Sequence, residues 1–330
     1  MQTVLMEPET EMQAADSKLL SVRVNKIKTL ADGIKSFELL GENLPEFTAG
    51  SHIDVHVQSG VIRQYSLCND PRDKNRYVIA ILREEHGKGG SKHIHDHINE
   101  GDTLYVSKPR NFFALNSNAS KHTFVAGGIG VTPLISMLQE AEHRGDAYHL
   151  HYFVRSPERA AFVDSLEASI QAGKVSVYYD SEGSCPSLDA LFSDFEVNEQ
   201  LYYCGPTGFM DAMARATEHW PAGTVKYELF TAPVADETAE QAVNTEFQVH
   251  LARSNKTYTV NANESIVDAL AKHDVIIDIS CTEGYCGTCM TRYLEGEPDH
   301  RDTVLDDSGR ENYLMVCCSR SKSDVLVLDI

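Results

Sequence analysis

Residues 281–289 read Cys281-Thr-Glu-Gly-Tyr-Cys286-Gly-Thr-Cys289, and Cys317 answers them far downstream. Gaps of four and two residues followed by a distant fourth cysteine match the ligand spacing of a [2Fe–2S] cluster. The reason is steric, because one tight loop has to deliver several thiolates to a small inorganic core. Gly284 and Gly287 permit that turn and let backbone N–H groups aim at the sulfurs. Four soft thiolates then hold iron. Structural zinc competes, but it usually takes two C-x(2–4)-C knuckles, and the distal side here offers only the adjacent pair Cys317-Cys318. Incidental thiols are the third reading.

Working outward, the chain of 330 residues is long enough for several domains, and its 42% hydrophobic content is ordinary for a water-soluble protein. Nothing in it reads as a membrane span. Residues 1–18 are acidic and polar, lack the basic start and apolar run of an export signal, and read as a mobile tail. Of the eight cysteines, Cys68, Cys185, Cys204 and Cys318 lie scattered outside the motif, which fits a reducing cytoplasm better than a disulfide scaffold. A net charge of -20 opposes binding to nucleic-acid phosphates. It suits solubility, or steering toward a basic face on a protein partner.

Residues 19–115 read as short alternating strands separated by turns, which implies a small antiparallel β-barrel or sandwich. Leu20-Ser-Val-Arg-Val-Asn and Ser51-His-Ile-Asp-Val-His-Val-Gln have the alternation of half-buried strands. Within this region lies Arg63-Gln-Tyr65-Ser66-Leu67, followed by Gly87-Lys-Gly89-Gly90-Ser91 at the opening of a helix. An aromatic ring beside a hydroxyl and an arginine can cover a flat ring, bond its edge and neutralise a phosphate. A glycine-rich helix start adds free N–H groups for the same anion. Alone, the first motif is equally compatible with an ordinary strand. The pair resembles the flavin site of the ferredoxin-NADP reductase superfamily. His86, His93, His95 and His97 read as solvated or capping residues, since no carboxylate or thiol ligands accompany them.

From residue 116 to 231 strands and helices alternate, which implies a Rossmann-like parallel sheet with ligands beyond the strands' carboxyl ends. Two glycine turns fall at such ends: Gly127-Gly128-Ile-Gly130-Val-Thr132-Pro133 and Cys204-Gly205-Pro206-Thr-Gly208. The first falls short of the full dinucleotide fingerprint and is moderate evidence. Residues 232–244 are acidic and read as a linker. Residues 245–330 then offer a hairpin, the amphipathic helix Ser265-Ile-Val-Asp-Ala-Leu-Ala-Lys-His, the cysteine loop and two further strands, a small sheet around one helix.

Taken together, these pieces resemble the phthalate dioxygenase reductase family from residue 19 to the C-terminus. The segments that carry the likeness are Arg63-Gln-Tyr-Ser-Leu-Cys-Asn-Asp, Gly87-Lys-Gly-Gly-Ser, Pro109-Arg-Asn-Phe-Phe, Val125-Ala-Gly-Gly-Ile-Gly-Val-Thr-Pro, Tyr203-Cys-Gly-Pro, and Gly296-Glu-Pro-Asp-His-Arg-Asp302 with Met315-Val-Cys-Cys-Ser-Arg. The resemblance implies a multidomain α+β and α/β chain with three parts: an FMN-binding barrel, an NAD(P) domain and a β-grasp, plant-type ferredoxin domain. It further implies electron delivery from NADH to a Rieske-type terminal oxygenase. A demethylating monooxygenase as acceptor, or a non-catalytic carrier module, are the alternatives.

By the same likeness, Ser66 bonds the flavin ring, Tyr65 covers it, Arg63 and Ser91 with Gly89 and Gly90 hold its phosphate, and Leu67 completes the motif. The dinucleotide docks across Gly127 to Thr132 and Cys204 to Gly208, with Cys204 beside the nicotinamide and Phe230 shielding the flavin. A packed buried thiol and a domain-edge anchor are the plainer readings of Cys204 and Phe230. Cys281, Cys286, Cys289 and Cys317 hold the iron, with Cys318 a rival for the last position. Pro298 stands where the family more often has alanine. Arg155, Ser156 and Arg159 could receive a 2′-phosphate, so NADPH stays open beside NADH.

Overall fold

The computed structural model describes residues 19–58, 61–87, 89–183, 185–231 and 244–330. The expected N-terminal tail and nearly all of the expected linker lie outside the described residues.

The first unit contains β1 (Leu20–Ala31), β2 (Ile34–Leu40), β3 (His52–Gln58), β4 (Val61–Ser66), β5 (Arg76–Leu82), α1 (Gly90–His97) and β6 (Thr103–Val106). Its six strands run in the order β4-β3-β6-β1-β2-β5 with antiparallel pairing throughout. A bridge between Leu67 and Ile79, supported by Cys68 N–H to the Val78 carbonyl at 2.8 Å, joins the two edges and closes the barrel. Closure removes the unpaired edges that an open sheet would expose. Val24, Phe37, Leu39, Ile53 and Val55 fill the interior. β3 departs from its expected one-sided burial, since His52 and Asp54 on the outer face are buried as well. The cysteine loop and Arg110 cover that face.

The second unit contains β7 (Lys121–Gly127), α2 (Val131–Arg144), β8 (Ala147–Val154), α3 (Val163–Gln171), β9 (Val175–Tyr179), α4 (Leu188–Leu191), β10 (Glu199–Gly205), α5 (Thr207–Ala216) and β11 (Val225–Leu229). The five strands are parallel in the order β11-β10-β7-β8-β9. The chain builds outward from β7 through β8 and β9, then returns to the other side of β7 with β10. That reversal opens a crevice at the carboxyl ends of β7 and β10, the position where such sheets bind ligands. A 3-10 turn at Pro157–Arg159 and Phe162 at φ 67 precede α3.

The third unit contains β12 (Phe247–Leu251), β13 (Lys256–Val260), α6 (Ile266–Ala271), β14 (Met290–Glu295), β15 (Pro298–Asp299), α7 (Asp307–Arg310), β16 (Tyr313–Met315), β17 (Arg320–Ser321) and β18 (Val325–Leu328). Its main sheet runs β13-β12-β18-β14-β16, and β12 and β18 pair in parallel at the centre, the grasp topology. A capping box starts α6: the Asp268 N–H donates to Ser265 Oγ at 3.1 Å, satisfying an otherwise unpaired helix donor. Pro298 sits in a two-residue strand paired only with β17, where a missing N–H costs little.

Candidate functional site

Strand β4 carries Arg63 and Tyr65 on one face and Gln64 and Ser66 on the other, opposite His52 to Val55 of β3. The stem of Arg63 lies against the first residue of α1, so closely that a Cβ at Gly90 would come within 2.7 Å of Arg63 Cγ. The guanidinium therefore sits beside the helix start. There Gly89 takes φ 85 and no side chain caps the helix, leaving N–H groups for an anion. Ser91 Oγ accepts the Glu84 N–H at 3.1 Å and keeps its own proton to donate. Burial raises the Tyr65 phenol above its ordinary pKa, so this ring acts as a neutral wall. Leu67, which completes the motif, has its side chain fully buried in the barrel core and its N–H on the Ser51 carbonyl, and so helps close the barrel. Of the histidines, His95 Nε2 lies 2.9 Å from the Ile81 carbonyl, and His93 and His97 face each other across 4.7 Å.

In the second unit, Gly127, Gly128 and Gly130 turn from β7 into α2, and Gly205 and Pro206 turn from β10 into α5. The two turns meet: a Cβ at Gly130 would lie 2.2 Å from the Cys204 carbonyl oxygen, which only glycine allows. The Cys204 thiol is buried, and burial first and the Glu228 charge second raise its pKa well above the thiol range. It stays protonated at the end of β10, beside the turn into α5.

The cysteine loop packs on the barrel. Gln64 Nε2 donates to the Cys286 carbonyl at 2.8 Å and to Thr288 Oγ1 at 3.1 Å, and Ser280 Oγ donates to the Ile62 carbonyl at 3.3 Å. Phe112 lies on Gly287, where φ is +76 and an added Cβ would stand 2.2 Å from the ring. Cys281, Cys286 and Cys289 are buried. Among the described residues no three His, Cys, Asp or Glu side chains converge as ligands of one metal ion. The thiols instead gather in two groups, Cys281 beside Cys286, and Cys289 beside Cys317 with its neighbour Cys318. Soft donors in two groups suit a two-iron core. Cys318 hydrogen-bonds Cys317 and the Met315 carbonyl, and its sulfur sits over Gly284.

All three units face one cavity of ≈ 520 Å³. Arg63, Tyr65, Ser66, Gly89, Gly90 and Ser91 line it from the barrel; Thr132 and Phe230 line it from the nucleotide unit; Cys281 and Cys286 line it from the cysteine loop. Gly127, Gly128, Gly130, Cys204, Gly205, Pro206, Cys289 and Cys317 do not line this cavity. Among the lining residues that the motifs did not mark, Tyr285 and Glu228 bear on the chemistry. Tyr285 lies between the cavity cysteines, its phenol raised in pKa chiefly by burial. Glu228 holds Oε1 3.6 Å from His52 Nδ1, while its buried Oε2 has no hydrogen-bond partner among the described residues. An unpaired buried acceptor in a cavity wall is costly unless a ligand donor meets it. A carboxamide is such a donor, and the cavity chemistry thus fits a flavin with a nicotinamide over it.

Comparison with known proteins agrees. Residues 249–322 match the model of the 2Fe-2S iron-sulfur cluster binding domain, and residues 105–222 match that of the dimethylamine monooxygenase subunit DmmA-like N-terminal domain. The chain is 40% identical to the phthalate dioxygenase reductase of Burkholderia cepacia over 94% of this chain and 97% of the relative. The chain belongs to the phthalate dioxygenase reductase family. Other relatives of this reductase family include the tert-butanol monooxygenase / tert-amyl alcohol desaturase reductase subunit of Aquincola tertiaricarbonis, 41% identical over 94% of this chain and 96% of the relative. A solved phthalate dioxygenase reductase, described as a modular structure for electron transfer from pyridine nucleotides to [2Fe–2S], superposes with a TM-score of 0.69 at 38% identity, covering 96% of this chain and 99% of that one. The expected family, three-part fold and NAD(P)H-dependent oxidoreductase class all stand, with the chain a reductase component of an oxygenase system. Among the described residues no helix is long and apolar enough to cross a membrane.

Proposed function

We propose that this reductase carries electrons from NADH through FMN to a [2Fe–2S] cluster and on to the Rieske centre of a terminal oxygenase. The single observation behind the reading is the shared cavity, whose walls come from the barrel, the nucleotide unit and the cysteine loop together. A bound flavin supplies the conversion of two-electron hydride chemistry into one-electron transfers; the chain supplies position and electrostatics.

Arg63, Ser91 and the uncapped start of α1 hold the flavin phosphate, Tyr65 covers the ring, and Ser66 bonds its edge. Gly127, Gly128, Gly130, Thr132, Gly205 and Pro206 bind the dinucleotide along the crevice. The buried Cys204 packs behind the nicotinamide as a neutral thiol, Glu228 accepts its carboxamide, and Phe230 shields the flavin until the dinucleotide arrives. Cys281, Cys286, Cys289 and Cys317 bind the iron. NADH is the proposed donor, as the family likeness implies; of Arg155, Ser156 and Arg159, which could receive a 2′-phosphate, Arg159 is paired with Asp32 at 3.7 Å. Domain limits fall at 19–115, 116–231 and 245–330. The cytoplasm is the setting that keeps Cys68 and Cys204 reduced and regenerates pyridine nucleotide.

Anaerobic titration tests this. NADH is expected to bleach flavin absorbance and then cluster absorbance, with a one-electron cluster signal by EPR. Flavin bleaching without that signal rejects the scheme. The match to a dimethylamine monooxygenase subunit model favours a second acceptor class, a demethylating monooxygenase. Reconstitution with purified aromatic-ring and amine oxygenases separates the two.

A further inference from the structure

Thr288 lies between the cavity cysteine Cys286 and the closing cysteine Cys289, yet its hydroxyl is surrounded by the barrel. Gln64 Nε2 donates to Oγ1 at 3.1 Å and Arg110 Nη2 at 3.4 Å. Oγ1 in turn faces Asp54 Oδ1 at 3.4 Å and the Cys286 sulfur at 3.3 Å. Arg110 and Asp54 form an ion pair at 2.7 Å, and Asp54 is almost wholly buried. Three barrel side chains, from β3, β4 and the segment after β6, therefore converge on one hydroxyl of the cysteine loop.

A hydroxyl has two lone pairs and one proton. Gln64 and Arg110 are donors only at these atoms, and they occupy the two lone pairs. When Cys286 is a thiolate it has no proton to give, so the single Thr288 proton faces two anionic acceptors, the Asp54 carboxylate and the Cys286 sulfur. Hydrogen bonds to the sulfurs raise the reduction potential of an iron–sulfur cluster, because they favour the more negative reduced form. The orientation of this proton is set by residues of another domain.

We propose that Thr288 is a positioning residue through which the flavin barrel sets the reduction potential of the cluster, its one proton divided between Asp54 of the barrel and the Cys286 sulfur. The inference rests on the cluster reading above. It makes docking of the loop a condition of correct potential, so that electron acceptance is tuned only when the flavin is alongside. Asp54 draws the proton away from sulfur and lowers the potential; its neutralisation returns the proton to sulfur.

EPR-monitored redox titration of the full-length protein, with iron and flavin content measured in parallel, tests this. Wild type without a cluster signal rejects the cluster reading itself. Given a signal, Thr288→Val is expected to shift the one-electron equilibrium toward the oxidised form by about tenfold, equivalent to 59 mV, and Thr288→Ser to restore it. Asp54→Asn, which keeps size and its bond to Arg110, is expected to shift the equilibrium the opposite way. In the Thr288→Val background Asp54→Asn should have no further effect, the signature of action through one residue. An unchanged potential in Thr288→Val overturns the proposal without recourse to any barrel variant. An Asp54→Asn shift of equal size with and without Thr288 overturns it too, by showing that the carboxylate acts directly.

Discussion

Gln64 on the barrel donates from Nε2 to the main-chain oxygen of Cys286, a residue 222 positions later, at 2.8 Å. Removing the amide leaves a carbonyl of the cysteine loop without this donor, at a cost of about 1–3 kcal/mol if it stays dry. Gln64→Leu is therefore expected to loosen the loop from the barrel. In anaerobic stopped-flow, cluster absorbance should lag further behind flavin bleaching than in wild type. An unchanged lag would show that this bond does not govern docking.

Phe112 and Gly287 form the second fastening. A Cβ on Gly287 would stand 2.2 Å from the Phe112 ring, at φ +76. Gly287→Ala should lower the stability of the third unit by about 1–3 kcal/mol through overpacking alone, with backbone strain added. Thermal unfolding followed at cluster absorbance reads the loss, and Phe112→Ala in the same chain should recover part of it. A midpoint equal to wild type in the single variant would mean that the ring moves aside freely.

Cys317 lies beside both Cys289 and Cys318, but Cys318 also bonds the Met315 carbonyl and its sulfur sits over Gly284. Cys317→Ser should purify with little iron and no cluster spectrum, while Cys318→Ser should keep both. The opposite pattern would transfer the ligand role to Cys318.

His151 on β8 is packed against Tyr178, with Nδ1 3.1 Å from the phenol oxygen. Burial first, and His149 second, lower its pKa from 6.5 to about 4. Between these values the unfolded chain takes up a proton that the folded chain refuses. Stability contributed by the neutral ring is thus complete above about pH 6.5, falls as pH drops toward 4, and changes no further below that. Urea unfolding of the nucleotide unit across this window should show the slope, and His151→Phe should flatten it. Equal slopes in the two proteins would place the acid sensitivity elsewhere.

Features recorded in local pattern were legible from residues alone. The turns at Gly127 and Gly205 announce the crevice because a close approach of two chain segments demands glycine at Gly130. The loop spacing announces the cluster because few other sites need it. Alternation in β3 reported one buried face correctly but said nothing of the second, since the groups that cover His52 and Asp54 come from Arg110 and from residues over two hundred positions away. Glu228 was missed for the same reason: a carboxylate near a strand end reads as solvated until a cavity is seen around it. The motifs mark the segments that carry Cys204 and Leu67, but the full burial of both side chains is decided by packing and has no local signature. The short strands β15, β16 and β17 hold two or three residues each and carry no period to detect.

Burial of Cys281, Cys286 and Cys289 bears on how sparingly the cell's reducing power is used. A reduced iron–sulfur centre open to solvent passes electrons to dissolved dioxygen and generates superoxide. Here the loop spends its exposed surface on Thr282 and Glu283, while Phe112 covers Gly287 and the Cys289 sulfur packs toward Met315. The same packing that places Cys281 and Cys286 on the cavity wall keeps these residues from bulk solvent, which narrows the route for such a leak.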